Sequence, residues 1–274
     1  MLLLASSCAR PALTTASPSS ASTHTVVGFE GTPDCRGYWM TTNTGGIFPF
    51  GSAEGFGSTG GIRLHQPIVA EESTPDGRGY WLVASDGGIF SFGDAQGFGS
   101  TGNSRLNQPI VDMEDTPDGL GYWLVAKDGG IFRFGDAAGY GSTASVQLGS
   151  PIVGMEATPD GHGYWLVAGD GGLFPFGDAA VYGSTGATHP GSSIVGLEST
   201  PDGRGYWLVA SDGGVFPFGD AASYGSAATI HLTSPIAGME PTPDGHGYWL
   251  YAEDGGLFPF GDAAGYGSLG TTHF

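Results

Sequence analysis

A six-bladed, all-β propeller with one 42-residue repeat per blade is the fold class this sequence predicts, and three observations point to it. The triplet Thr-Pro-Asp begins at Thr32, Thr74, Thr116, Thr158, Thr200 and Thr242, each 42 residues after the last, with no copy longer or shorter than another. Within a copy, short β-forming runs alternate with turns rich in Gly and Asp, and no segment shows a helical period or a helix cap before an apolar pattern. Four-stranded units recurring at this spacing are the signature of propeller blades. The alternative is an open β-solenoid, whose coils are usually shorter and whose ends need capping.

The fourth copy shows how each element is justified. Ile152 to Thr158 is a short apolar run that stops at Pro159-Asp-Gly-His-Gly163, where Pro fixes φ and the glycines are free to take positive φ. Tyr164 to Ala168 is apolar on both faces, which predicts a strand buried on both faces. Asp170-Gly-Gly172 is a tight hairpin turn into a third strand, Leu173 to Phe176. Gly177-Asp-Ala-Ala180 then leads to a brief fourth strand, Val181 to Ser184. Pro49, Pro175, Pro217 and Pro259 sit in the third strand, with Ser91 and Arg133 in the other copies, and a residue without an amide donor belongs near a sheet edge. The longest connection, such as Gly186 to Ser193, has to cross a four-stranded sheet of roughly 14 Å. Ile-Val-Gly-Met-Glu is therefore placed innermost. Closure is expected by packing of the first blade on the sixth, with no shared strand.

The repeats run from Thr25 to Phe274, and residues 1–24 are read as a truncated export signal followed by a Ser/Thr/Pro-rich tether. The segment Leu4-Ala-Ser-Ser-Cys8 loosely matches a lipoprotein cleavage site. Two cysteines, Cys8 and Cys35, are too few for a disulfide framework or a thiolate metal site. A net charge of −19, from 27 acidic and 8 basic residues, excludes nucleic acid and anionic membrane as partners. No stretch approaches the length of a membrane-spanning helix.

The six tryptophans, Trp39, Trp81, Trp123, Trp165, Trp207 and Trp249, hold one repeat position and are assigned to blade packing rather than to sugar stacking. The turn aspartates, such as Asp160, Asp170 and Asp178, are assigned to hydrogen bonds with nearby amides. No copy has the dense acidic alternation of a dedicated calcium loop. His162 and His246 share a turn slot with Arg36, Arg78, Leu120 and Arg204, which argues against a metal role. The glutamates Glu30, Glu72, Glu114, Glu156, Glu198 and Glu240 are different, because no turn requires them. On an innermost strand they would form a ring of carboxylates around the axial channel. Such a ring either bonds backbone amides, or holds a polar ligand or a cation, with calcium the candidate ion. No other cofactor and no catalytic residue is expected.

The phrase Gly79-Tyr-Trp-Leu-Val-Ala-Ser-Asp-Gly-Gly-Ile-Phe-Ser-Phe-Gly-Asp-Ala95, followed by Gly99-Ser-Thr-Gly102, resembles a repeat of secreted actinobacterial proteins. There it stands alone or is appended to cell-wall hydrolases and other exported enzymes. The resemblance covers all six copies and implies a propeller unit with an extracellular accessory role; it carries over no catalytic residue. The first copy departs from the pattern at Asn43-Thr44 and Ser52. The expectation is thus a monomeric, secreted or cell-surface module that binds glycan or protein without catalysis. A hydrolase or lyase with carboxylates at the channel mouth is the alternative.

Overall fold

In the computed structural model, described for residues 24–188 and 191–270, the chain is all β. The expected export signal, tether and Cys8 lie outside these residues, as does part of the loop between the fourth and fifth repeats. Six antiparallel sheets follow one another along the chain, each with its strands in sequence order. Blade one has an inner strand Val26–Gly31, a middle strand Gly37–Thr42 and an outer strand Ile47–Gly51. Blade two repeats this as Ile68–Ser73, Gly79–Ala84 and Ile89–Gly93, and blade three as Ile110–Asp115, Gly121–Ala126 and Ile131–Gly135. Blade four has Ile152–Ala157, Gly163–Ala168 and Leu173–Gly177; blade five has Ile194–Ser199, Gly205–Ala210 and Val215–Gly219. Blade six ends the series with Ile236–Pro241, Gly247–Ala252 and Leu257–Gly261.

The inner strands pack on one another around the ring, the sixth against the first. A backbone bond joins each blade to the last, from Ile68 N to Asn43 O at 2.9 Å and onward in every copy. The same bond closes the circle from Val26 N to Glu253 O at 2.9 Å. An open solenoid has no such contact between its ends. The propeller reading therefore holds, and closure needs no strand shared between the two ends.

Each blade has three strands, not four. The expected fourth strand at Val181–Ser184, and its counterparts, form no ladder. These segments are straps that cross to the next blade, where side chains satisfy their backbone. Tyr80 Oη accepts from Phe56 N and Gly57 N at 3.0 Å each and donates to Gly57 O at 2.6 Å. Trp39 Nε1 holds the same strap from its own blade through Glu54 O at 2.7 Å. Gly57 must be glycine twice over: its φ is +146°, and a Cβ would collide with the ring of Phe92.

The core lies between blades. All six tryptophans and their neighbouring tyrosines are fully buried. Each Trp ring meets the next blade's Tyr ring, from Trp39–Tyr80 at 6.0 Å to Trp249–Tyr38 at 5.9 Å across the closure. Packing, not sugar stacking, is the role of the tryptophans. Without a fourth strand, the outer strand is the open edge of every sheet. Pro49, Ser91, Arg133, Pro175 and Pro217 are exposed there, and the prolines withhold the amide through which another edge could pair.

Candidate functional site: a carboxylate-lined axial cavity

The turn aspartates act as hydrogen-bond acceptors for the frame. Asp160 Oδ1 accepts from Thr158 Oγ1 at 3.0 Å and from His162 N at 3.1 Å, and Asp170 Oδ1 accepts from Gly172 N at 3.0 Å. These contacts hold the Asp160 carboxyl below its ordinary pKa, the His162 amide contributing most. In the first copy Ser52 Oγ stands in for the missing aspartate and donates to Asp34 Oδ1 at 2.9 Å.

All six ring glutamates line one axial cavity of about 320 Å³. Each belongs to an inner strand opposite the middle-strand tryptophan, as in Glu156 opposite Trp165, so the repeat places it near the axis. Three of them staple adjacent blades through amides one repeat onward. Ala157 N donates to Glu114 at 3.4 Å, Ser199 N to Glu156 at 3.0 Å, and Gly31 N to Glu240 at 3.4 Å. The amide that would serve Glu198 does not exist, because Pro241 stands at that position. No equivalent bond forms at Glu30 or Glu72. The ring is half structural staple and half free acceptor.

The electrostatics follow from crowding. Burial raises the pKa of every ring glutamate, and at Glu30, Glu72, Glu114, Glu198 and Glu240 the neighbouring carboxylates add to the rise. Glu240 is pushed up to about 8, burial outweighing the Gly31 amide.

Sequence reasoning missed the groups that break the sixfold pattern. Glu71 takes the column otherwise filled by Phe29, Met113, Met155, Leu197 and Met239. Asp112 and Tyr251 also join the cavity lining, from columns that are otherwise small or apolar. Asp112 accepts from Met113 N and Met155 N at 3.0 Å each, yet burial still lifts its pKa to about 7. The signal was a single acid in an otherwise apolar column, readable only once the six copies are stacked.

Among the described residues, two groups bring three metal-capable side chains within 4.8 Å of one another: Asp160, His162 and Asp178, and Asp244, His246 and Asp262. Both are turn clusters away from the axis, formed when the hairpin returns the chain to the first turn. His162 and His246 thus stand beside two carboxylates each, which their scatter along the sequence did not show. Among the described residues, the axial ring supplies no such trio.

A second hollow, of about 630 Å³, opens beside the first hairpin turn, between Asn43, Thr44 and Phe48 and the loop carrying Ile62, His65 and Gln66. Phe48 is 38% exposed and Ile62 58% exposed. This is where the first copy departs most from the others.

No protein-family model matches the chain, and no curated protein matches it in sequence. No helix of the described residues is long and apolar enough to cross a membrane.

Proposed function

We propose that the chain is an exported, non-enzymatic binding module that engages a glycan or protein at the cell surface. One observation carries the reading: a closed ring converges six like carboxylates on a cavity that, among the described residues, no His, Lys, Arg, Ser or Cys lines. Catalysis needs unlike groups in unlike places, such as a nucleophile beside its base, whereas repeated acceptors on a fixed frame suit recognition. The hollow at Phe48 adds an exposed aromatic edge among polar side chains, an arrangement that suits sugar hydroxyls and ring faces.

The test is a glycan and peptidoglycan binding screen on residues 25–274. Retention on at least one glycan or wall fraction is expected, weakened about tenfold by Phe48→Ala if the hollow supplies one stacking contact, worth about 1.4 kcal/mol. No retention on any glycan, wall fraction or cell-surface protein would reduce the module to a spacer.

The alternative, a hydrolase or lyase, draws support from Glu71 and Asp112, which give one arc of the cavity unlike carboxyl groups. Release of new reducing ends from a bound glycan, abolished by Asp112→Asn, would establish that reading instead.

A further inference from the structure

The six outer strands are alike in shape but not in what their open edges offer. In blade three the bonds Ala126 N to Gly130 O at 2.8 Å and Asp136 N to Leu120 O at 3.2 Å fix the alternation of the hairpin. Between them Phe132 and Phe134 bond the middle strand, so the amides and carbonyls of Ile131, Arg133 and Gly135 point away from the sheet. No fourth strand meets them. At the central position Pro49, Pro175, Pro217 and Pro259 have no amide to offer, whereas Ser91 and Arg133 have one. An exposed edge with its donors intact is a template for another extended chain. Only blades two and three present such an edge.

Blade three adds a charge. In a chain of net charge −19, Arg133 is the one basic residue on any outer strand, and it is exposed. Arg78 and Arg204 reach Asp76 and Asp202 at 3.8 and 3.7 Å, but among the described residues Arg133 makes no ion pair. Its guanidinium lies against the blade's own strap at Gly139, where a Cβ would come within 2.8 Å of Cζ. The strap glycine thus keeps room for the cation beside the edge.

We propose that the outer edge of blade three takes up an extended peptide as a fourth strand, with a carboxylate side chain of the peptide opposite Arg133. The inference rests on reading the propeller as a binding module; it names a protein partner and a surface apart from the axial cavity. An added strand pairs one of its residues with Arg133 through the backbone, and side chains so paired stand about 5 Å apart on one face. Asp or Glu at that place meets the unpaired guanidinium. The flanking peptide residues fall on the face of Phe132 and Phe134, so apolar side chains suit them. A second copy of this chain does not fit. No outer strand carries an acid, and pairing blade three with itself about a two-fold axis would set Arg133 against Arg133.

The experiment is a nuclear magnetic resonance titration of the isotope-labelled full chain with the peptide acetyl-Lys-Ser-Val-Glu-Val-Ser-Lys-amide, beside the same peptide with Lys in place of Glu. Saturable binding of the Glu peptide is expected, with shifts centred on the amides of Ile131, Arg133 and Gly135, and the Lys peptide at least tenfold weaker. Arg133→Pro installs the residue that four other blades use, so it should abolish binding while near-ultraviolet dichroism shows the tryptophans still packed. Arg133→Ser, the blade-two residue, should keep the ladder but bind the two peptides equally. A methyl group on the peptide's Glu nitrogen removes one ladder bond without touching the protein and should weaken binding at least tenfold. The proposal is overturned if neither peptide saturates, if the parent does not discriminate between them, if the shifts centre on another blade, or if Arg133→Pro binds as the parent does. Dimers of Arg133→Ser in sedimentation would also overturn it, by making the arginine a guard against edge pairing. Absent peptide binding with glycan or wall capture intact sinks this inference alone. Peptide binding with no capture of glycan, wall or surface protein sinks the adhesion reading and leaves the edge assignment standing.

Discussion

Glu71 and Thr41 are a polar pair where the fold elsewhere uses hydrocarbon. The equivalent contact between blades two and three sets Val83 against Met113 in the core, and the repeat frame does not change to accommodate the exception. Burial pushes the Glu71 carboxyl up to about 8, only partly offset by the Thr41 hydroxyl, so the group is protonated at neutral pH. A protonated acid with one unmet oxygen contributes less to the seam than a methionine would. Replacing the pair by Val and Met is therefore expected to raise stability by about 1–3 kcal/mol, read as a shifted denaturant midpoint at constant slope. An unchanged or lowered midpoint would mean that Glu71 has a partner in solution. The six ring glutamates were legible in the sequence because they recur and no turn explains them. Glu71, Asp112 and Tyr251 were not, since each occurs once and only the ring shows that they line the same cavity.

The blades show how a local pattern can mislead. Val181-Tyr-Gly-Ser has the aromatic character of a strand, and it lies next to an outer strand with an open edge. It does not pair there because Tyr182 N and Gly183 N already bond Tyr206 Oη, at 2.9 and 3.0 Å. A single buried hydroxyl of the next blade takes the place of a ladder, and no reading of one copy in isolation reveals it. The strap glycine is the readable trace, since its positive φ and its contact with the next blade's Phe both exclude a side chain. Tyr164→Phe would leave Tyr140 N, Gly141 N and Gly141 O without partners in one seam. At about 1–3 kcal/mol for each buried group left unmet, less whatever water reaches the strap, the loss should be roughly 3 kcal/mol or more. Thermal unfolding followed by tryptophan fluorescence would measure it. A change below about 0.5 kcal/mol, the level of an ordinary surface substitution, would show that the strap does not depend on the tyrosine.

The ring as a whole collects acids whose pKa values are raised. Glu71, Asp115 and Glu240 lie at about 8 and Asp112 at about 7, all primarily through burial, against ordinary values of 4.5 for glutamate and 3.8 for aspartate. Between those limits the folded state holds protons that the unfolded chain has lost, so stability falls as pH rises through the window. The exposed turn aspartates, lowered by their amide and hydroxyl partners, act oppositely and only below the ordinary aspartate range. The melting temperature should therefore peak near the ordinary carboxylate range, at about pH 4, and decline toward pH 8. Glu71→Gln should flatten the decline, by up to about 1.4 kcal/mol for each pH unit that this one group contributes. A stability plateau from pH 5 to pH 8 would show that the cavity hydrates its carboxylates fully. The formal charge of −19 counts these buried acids as ionised and so overstates the charge of the folded ring near neutrality.

The sequence by itself determined the repeat unit, the number of blades, the turn chemistry and the burial of Trp and Tyr. Each of these follows from short-range spacing or from a pattern written six times. Only the tertiary structure decided that the fourth strand is a strap, that half of the glutamate ring staples neighbouring blades, and that one arc of the cavity differs from the rest. Those outcomes depend on what one copy meets in the next. The closure between Val26 and Glu253 is of the same kind, since it joins residues that only the full turn of the ring brings together.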